Sequence, residues 1–288
     1  MTPTLVRQHP SHAGAAPRVD LRARARDWSE IQERMLVPLY EAVYERLDVG
    51  AGTRLLGLGC GSGLALLMAA SRGAAVTGVD ARAPERLALA RERLLPGTEN
   101  ARARGDTRIV EGSPRDADDA RKAGAAAYTL VTAFEPIGCL AGDSEGLGEL
   151  LAEATPLAGR GTPVVLAGWG PPERCATSTV LRVATRLADP LRSARSWRPA
   201  LRDDLEEVAQ RAGLRPDGSG RVACPFGYAD LASAVRGLLS TGLFDAAIAA
   251  TDPEQVDKEL AEALHPYRRG DGTVWMPNVF RYLIARTP

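Results

Sequence analysis

The sequence predicts an α/β fold: a doubly wound, mostly parallel, seven-stranded sheet with helices on both faces. Three observations carry that expectation. Short apolar strands alternate with helical stretches from Thr53 to Gly168, the pattern of parallel strands joined by right-handed crossovers. A glycine-rich turn, Gly57-Leu58-Gly59-Cys60-Gly61-Ser62-Gly63, leaves the first strand and enters a helix rich in Leu and Ala. An acidic residue, Asp80, ends the second strand, about twenty residues beyond the turn, where an open α/β sheet binds its ligands.

Residues 1–20 mix Pro, His, Ala, Gly and Arg without apolar periodicity and read as a flexible N-terminal tail. Residues 21–50 read as a helical cap, because Trp28, Ile31, Met35, Leu36, Leu39, Val43 and Leu47 recur at steps of three and four; Pro38 is placed to kink or split the helix. The remainder, 51–288, reads as the α/β domain. Strands are expected at Thr53–Leu58, Ala75–Asp80, Thr107–Glu111, Tyr128–Ala133 and Pro163–Gly168. A helix opens at Pro84, a favoured first position, and aligns Leu87, Ala90 and Leu94 on one face. Two insertions, at about 169–200 and 226–270, read as helical lids. Between them fall a helix from Leu201 to Ala212 and a short strand near Arg221 to Cys224. Val279 to Ala285 then closes the chain as an antiparallel contribution at the sheet's edge.

Thirty-six basic and 36 acidic residues cancel, so the summed field draws in neither nucleic acid nor an anionic membrane. A small molecule becomes the default partner. The arginines between Arg174 and Arg202 are accompanied by Glu173, Asp189, Asp203 and Asp204, which makes a mixed solvated face rather than a phosphate track. No apolar run approaches the roughly 20 residues a bilayer span needs, and no signal-peptide pattern opens the chain, so the expected location is the cytoplasm. Cys60, Cys139, Cys175 and Cys224 lie far apart, and His9 and His12 fall in the tail. That spacing matches neither a zinc site nor a disulfide framework, and no metal is expected. Monomer and homodimer both remain open.

In the turn, glycine lets the backbone pass close beneath a ligand. The Gly-x-Gly-x-Gly spacing departs from the dinucleotide fingerprint, which would place Gly or Ala at Ser62 or Leu64. Asp80 is placed to accept both hydroxyls of a ribose. On these residues the chain resembles the class I S-adenosylmethionine-dependent methyltransferases, in particular their small-molecule branch in actinobacterial metabolism. The likeness runs from Trp28 to the end and is strongest from Thr53 to Gly168.

The resemblance implies a Rossmann-like methyltransferase fold, S-adenosyl-L-methionine as cofactor with S-adenosyl-L-homocysteine as product, and methylation of a small-molecule acceptor at O, N or C in specialised metabolism. It implies that Leu58, Gly59, Cys60 and Gly61 border the methionine part, that Asp80 holds the ribose, and that Ala81 and Arg82 flank the adenine. Ser113 and Pro114 would form the adenine edge, and Phe134 and Glu135 would lie near the methyl donor. Two positions depart from the family's pattern. Gly57 stands where an acidic residue is usual, and Gly112-Ser113 replaces a Gly-Asp pair. Asp116 is a substitute acceptor for the adenine amine; equally, Ser113 and Asp116 fit a helix start with a cap and an acidic third position.

Methyl transfer from a sulfonium is an in-line displacement that needs alignment, water exclusion and, for some acceptors, proton removal. Glu135 is the first candidate base, its alternative being a helix-initiating carboxylate before Pro136. His265 is the second, titrating near neutrality, against a surface role. Trp28, Trp169, Phe226 and Trp275 are candidate walls of an acceptor pocket in a chain with 5% aromatic residues, against ordinary core packing. Trp28 also belongs to a helix that would fold over the cofactor. Ala133-Phe134-Glu135-Pro136 lacks the polar-Pro-Pro-aromatic motif for exocyclic amines of bases, and Cys224 precedes rather than follows Pro225, which argues against nucleic acid. Two rival readings share the loop and the acidic strand end: a nicotinamide-dependent oxidoreductase, and a non-catalytic protein that binds S-adenosylmethionine.

Overall fold

A computed structural model describes residues 20–95, 107–119, 126–138, 143–188 and 204–288. The expected tail, His9, His12, Cys139 and the second half of the first insertion lie outside the described residues. The strands are β1 (Arg54–Leu58), β2 (Ala75–Asp80), β3 (Thr107–Glu111), β4 (Leu130–Ile137), β5 (Pro163–Trp169), β6 (Arg215–Ala223), β7 (Phe226–Tyr228), β8 (Val274–Met276) and β9 (Val279–Arg286). Seven of them form one sheet in the order β3-β2-β1-β4-β5-β9-β6. The pairs β1–β2, β1–β4, β2–β3 and β4–β5 are parallel, and β9 runs antiparallel to both β5 and β6. The chain reverses its winding between β1 and β4, and a crevice opens there beyond the carboxyl ends of the strands.

Both faces of the sheet are covered, which is why its inner strands are near-continuous apolar runs rather than alternating ones. Successive residues of β1 divide between two cores: Leu55 joins Val76, Leu130 and Val165 on one face, while Leu56 and Leu58 join Val79, Val131 and Leu166 on the other. The helices are α1 (Leu21–Asp27), α2 (Val37–Arg46), α3 (Leu64–Ser71), α4 (Pro84–Leu94), α5 (Pro114–Asp119), α6 (Leu147–Ala154), α7 (Thr177–Ala188), α8 (Asp204–Arg211), α9 (Leu231–Ser240), α10 (Asp245–Ala250) and α11 (Pro253–Leu264). α2, α3, α9 and α11 contribute to the first core, and α6 and α8 to the second. α10 and α11 pack on α7, and α1 packs between α4 and α9, so the N-terminal segment and the late helices meet over one end of the sheet.

Three features differ from the sequence-based expectation. The cap is divided at Pro38, as that proline allowed, but it also departs from the regular helix before it: α1 passes through a π turn (Trp28–Gln32) and a 3-10 turn (Glu33–Leu36) before α2 restarts with Pro38 in its first turn. Proline is tolerated there because the first-turn N–H groups have no helical partner. The antiparallel strand is not at the edge. β9 is buried along most of its length between β5 and β6, and the edge belongs to the nine-residue β6, which starts six residues before the expected strand. Pro216, Gly218 and Gly220 disguise β6 in the sequence, yet such residues are at home on an edge. Finally, β4 continues through Glu135 to Ile137, with a shift of register between Ala133 and Ile137, so Glu135 lies within the strand's end rather than after it.

Candidate active site

The glycine turn forms a tight bridge between β1 and α3. Gly59, Gly61 and Gly63 all take positive φ (60°, 55° and 79°), a region open to glycine at little cost and strained for other residues. The Cys60 N–H donates to the Val79 carbonyl at 3.1 Å, tying the turn to β2. Asp80 completes the bridge: its carboxylate, only 8% exposed, accepts from the Gly61 N–H at 3.1 Å and from the Arg82 N–H at 2.9 Å. Each oxygen retains lone-pair capacity facing the cleft. At Gly57, the position where an acid is usual by resemblance, an added Cβ would meet the Leu66 side chain at 2.9 Å. The site of the missing carboxylate is filled by packing.

A carboxylate does reach the turn, from the N-terminal segment. Glu33 is buried, accepts from the Ser62 hydroxyl and from the Leu64 N–H at 3.3 Å, and pairs with Arg93 at 2.8 Å. Arg93 donates as well to the Ser62 carbonyl at 2.8 Å and the Ser29 hydroxyl at 2.5 Å. The π turn makes this possible by bringing Ser29, Gln32 and Glu33 inward together; Gln32 accepts from the buried Tyr228 hydroxyl at 2.9 Å. The N-terminal segment is thereby bonded to the loop over which it sits.

Between these walls lies a cleft of about 400 Å³, within the range of small-molecule sites. Leu58, Gly59, Cys60, Gly61, Asp80, Arg82, Phe134 and Glu135 line it, together with Trp28 of the sequence-predicted aromatic set. Phe134 is held by Tyr40 and Tyr44, with ring centres at 4.8 and 5.8 Å. Burial pushes the Cys60 thiol up to about 12, with the Asp80 and Glu33 carboxylates adding to the effect, so the thiol is an uncharged wall rather than a nucleophile. Arg82 and Glu135 form an ion pair, and an added Cβ on Gly59 would lie 3.7 Å from the Glu135 carboxylate and 3.8 Å from the Arg82 guanidinium. Trp28 Nε1 is buried without a hydrogen-bond partner among the described residues, and it lies 3.6 Å from where a Gly61 Cβ would be.

A second cavity of about 260 Å³ adjoins the first and shares Gly59, Asp80 and Arg82 with it; Ala81 and Ser113 line this part, facing Glu149 and Glu153 of α6. The Ser113 N–H donates to Asp116 at 2.7 Å and the Arg115 N–H to the Ser113 hydroxyl at 3.2 Å. This is the capping arrangement foreseen as one of two readings, and it occupies Asp116. Pro114 is the buried first residue of α5 and lines neither cavity.

Other residues singled out in the sequence lie elsewhere. Trp169 packs on Phe280 and Phe226 with ring centres at 4.5 and 6.0 Å, and Phe226 is 2% exposed, so both serve the core beneath β5 and β9. Trp275 projects from β8, paired with β7 in a two-stranded sheet, and stays exposed beneath the Arg269 guanidinium at 4.6 Å. His265 is an exposed residue at the C-terminal end of α11. None of the four lines the cleft. Sequence reasoning passed over Glu33, Arg86, Arg93 and Tyr40. Polar Gln32 inside an otherwise apolar helical stripe was the legible signal; for Glu33, which falls outside that stripe, and for Arg86 and Arg93 on a charged helix there was none. No group of metal-ligating side chains occurs among the described residues, and no helix there is long and apolar enough to cross a membrane.

No family model and no curated protein sequence matches the chain. Solved structures do. A Bacillus halodurans C-125 protein provisionally assigned as a methyltransferase superposes with a TM-score of 0.51 at 14% identity, over 86% of this chain and 98% of its own. An S-adenosylmethionine-dependent methyltransferase from Thiobacillus denitrificans, in complex with S-adenosyl-L-homocysteine, gives 0.47 at 17% identity over 89% and 92%. Geranyl diphosphate C-methyltransferase from Streptomyces coelicolor A3(2) gives 0.48 at 14% over 97% and 86%. At 14% identity the Bacillus halodurans match speaks to architecture alone, and the sheet order and the reversed β9 agree with it: the chain has a Rossmann-like α/β fold of the methyltransferase kind.

Proposed function

We propose that the protein binds S-adenosyl-L-methionine in this cleft and moves its methyl group to a small-molecule acceptor of specialised metabolism, releasing S-adenosyl-L-homocysteine. One observation carries the reading: a positive-φ glycine turn is bonded directly to a nearly buried Asp80 at the carboxyl ends of β1 and β2, where an open α/β sheet takes its ligand. When bound, the cofactor supplies an electrophilic methyl carbon on a sulfonium. The chain's own groups fit it. Leu58, Gly59, Cys60 and Gly61 offer backbone and a small uncharged surface to the amino-acid end. The unused lone pairs of Asp80 accept the ribose hydroxyls. Ala81, Arg82 and Ser113 border the adenine in the adjoining cavity, with Pro114 setting the start of α5 behind Ser113. The Trp28 N–H, without a partner among the described residues, lies beside the turn, where a polar ligand atom would satisfy it.

Alignment is the main demand of the displacement. Phe134, fixed by Tyr40 and Tyr44, and Trp28 enclose the transfer zone in apolar surface and exclude water. Where the acceptor loses a proton, Glu135 is the carboxylate at hand; it releases Arg82 to receive that proton. His265 has no part in this scheme. The balanced charge of the chain favours a small neutral or modestly charged acceptor over nucleic acid, in a cytoplasmic protein acting as monomer or homodimer.

Titration calorimetry of nucleotide-stripped protein with S-adenosyl-L-methionine, S-adenosyl-L-homocysteine and reduced nicotinamide cofactors in parallel is the test. Saturable binding of the two sulfur ligands alone is expected. Binding of a nicotinamide instead would replace this reading with an oxidoreductase. Cofactor binding without turnover on any acceptor panel would reduce it to a ligand-binding protein.

A further inference from the structure

Arg86, in the first turn of α4, faces the cleft in an arrangement the methyl-transfer scheme does not use. Its guanidinium lies 4.1 Å above the Trp28 ring and donates to the Ser240 carbonyl at 2.6 Å. Among the described residues no carboxylate comes within ion-pair distance of it; Glu135, Asp80 and Glu33 act on it only from farther away. The neighbouring arginines differ: Arg24 and Arg82, which line the cleft, pair with Asp245 and Glu135, and Arg93, outside its lining, pairs with Glu33. Burial lowers the Arg86 pKa from its ordinary value, because leaving water disfavours the charge, although a guanidinium stays protonated regardless.

A guanidinium presents five N–H donors in a planar fork, and a single carbonyl leaves most of them unused. Stacking on an indole fixes the plane of that fork, and a half-buried cation on the wall of a ligand-sized cavity gains most from an anion that arrives with the ligand. We propose that Arg86 is the anion-binding residue of the cleft, receiving a carboxylate or phosphate group of a bound ligand on its free N–H edge. The inference rests on the cofactor reading above, which supplies one source of the anion. Trp28 spans from Gly61 to Arg86, so on that reading an amino-acid carboxylate held beside the turn would lie in the same region of the cleft. The other source is an acid group on the acceptor itself.

Calorimetric titrations of wild type, Arg86→Met and Arg86→Lys separate these cases, using S-adenosyl-L-homocysteine, 5′-methylthioadenosine, which lacks the amino-acid tail, and pyrophosphate added to protein saturated with S-adenosyl-L-homocysteine. A loss of at least about ten-fold in S-adenosyl-L-homocysteine affinity for Arg86→Met, with 5′-methylthioadenosine unchanged, assigns the cofactor carboxylate to Arg86. Unchanged S-adenosyl-L-homocysteine affinity, with pyrophosphate binding present in wild type and lost in Arg86→Met, assigns an acceptor anion. In either case Arg86→Lys keeps the charge but not the fork and is expected to retain part of the affinity, and it serves as the folded comparison should Arg86→Met not fold. Equal losses for both nucleosides, or no difference between wild type and variants with any ligand, overturn the proposal. Wild type that binds neither nucleoside contradicts the cofactor reading instead, and pyrophosphate titrated into the ligand-free proteins then tests Arg86 alone, with equal binding or none in wild type and Arg86→Met overturning it.

Discussion

On the floor of the cleft, what a ligand meets is mostly main chain: Gly59 and Gly61, the turn into α3, and one carboxylate, Asp80, whose oxygens are themselves held by backbone N–H groups. On the N-terminal wall it meets side chains: Trp28, Glu33, Leu36, Tyr40 and, from α4, Arg86. A floor of backbone admits any ligand of the right shape and tolerates change at few positions, because positive φ and close packing restrict them to glycine. The wall is held by a buried ionic network whose members depend on one another. On the proposed reading, the floor holds what any ligand of the cleft offers to backbone and Asp80, and the wall discriminates among ligands by its side chains.

The largest expected effect breaks the wall. Glu33→Ala leaves Arg93 without its carboxylate and frees the Ser62 hydroxyl and Leu64 N–H. We expect a loss of about 3 kcal/mol, the low end for a broken buried pair because Arg93 keeps some access to water. Thermal unfolding should fall by roughly 5–10 °C. A melting point within a degree of wild type would mean that the N-terminal segment is not fastened to the turn through Glu33.

A change of pH reaches both regions at once. Burial pushes the thiols of Cys60, on the floor, and Cys224, under the wall, up to about 12 from an ordinary 9.0. The unfolded chain gives up these protons first, so the stabilisation is complete below pH 9 and declines as pH rises from 9 to 12. By pH 10 the loss is about 3 kcal/mol for the two together; buried Tyr44 and Tyr228, also shifted upward, extend it to higher pH. Urea midpoints at pH 8 and pH 10 measure this, and identical values for wild type and a Cys60→Ala, Cys224→Ala double variant at pH 10 relative to pH 8 would count against it.

Beneath the floor, in β2, Gly78→Ala sets a methyl group 2.5 Å from Leu66 and 2.8 Å from the Cys60 sulfur. The expected cost is about 1–3 kcal/mol, as for overpacked cores, together with weaker cofactor binding as Cys60 is pushed into the cleft. Weaker stability with full cofactor affinity would show that the turn absorbs the strain without moving. The smallest effect is expected at Trp275→Ala. Its ring is 40% exposed and remote from the cleft, so stability should change by no more than about 0.5 kcal/mol and cofactor affinity not at all. A clear loss of turnover there would extend the acceptor site well beyond the wall described.

The floor was readable from the sequence because its determinants are local: a glycine spacing, an acid at a strand end, and apolar runs whose ends mark β1, β2, β3 and β5 to within a residue. The wall was not. Periodicity from Trp28 to Leu47 announces a helix with Gln32 on its inner face, but a π turn adds about a residue per turn and brings Ser29 and Glu33 inward as well, which no 3.6-residue pattern registers. Arg93 looks like any arginine on a charged helix until its partner, 60 residues away in the chain, is placed beside it. Trp169 and Phe226 misled for the same reason, since Trp169 meets Phe280 only through the pairing of β5 with β9, and Phe226, just past β6, through the pairing of β6 with β9. Edge strand β6 was foreshortened because its Pro and Gly residues read as a loop until β9 is laid against them.

The central claim is that Asp80 and the glycine turn form a nucleoside-binding floor. Calorimetric titration of S-adenosyl-L-homocysteine into wild type and Asp80→Ala tests it most directly. The account predicts saturable binding to wild type and a loss of roughly 1.5–3 kcal/mol in the variant, the worth of charged hydrogen bonds to the ribose together with the loosened Gly61 contact. Equal affinity in a folded Asp80→Ala protein, or no binding to wild type, would contradict it.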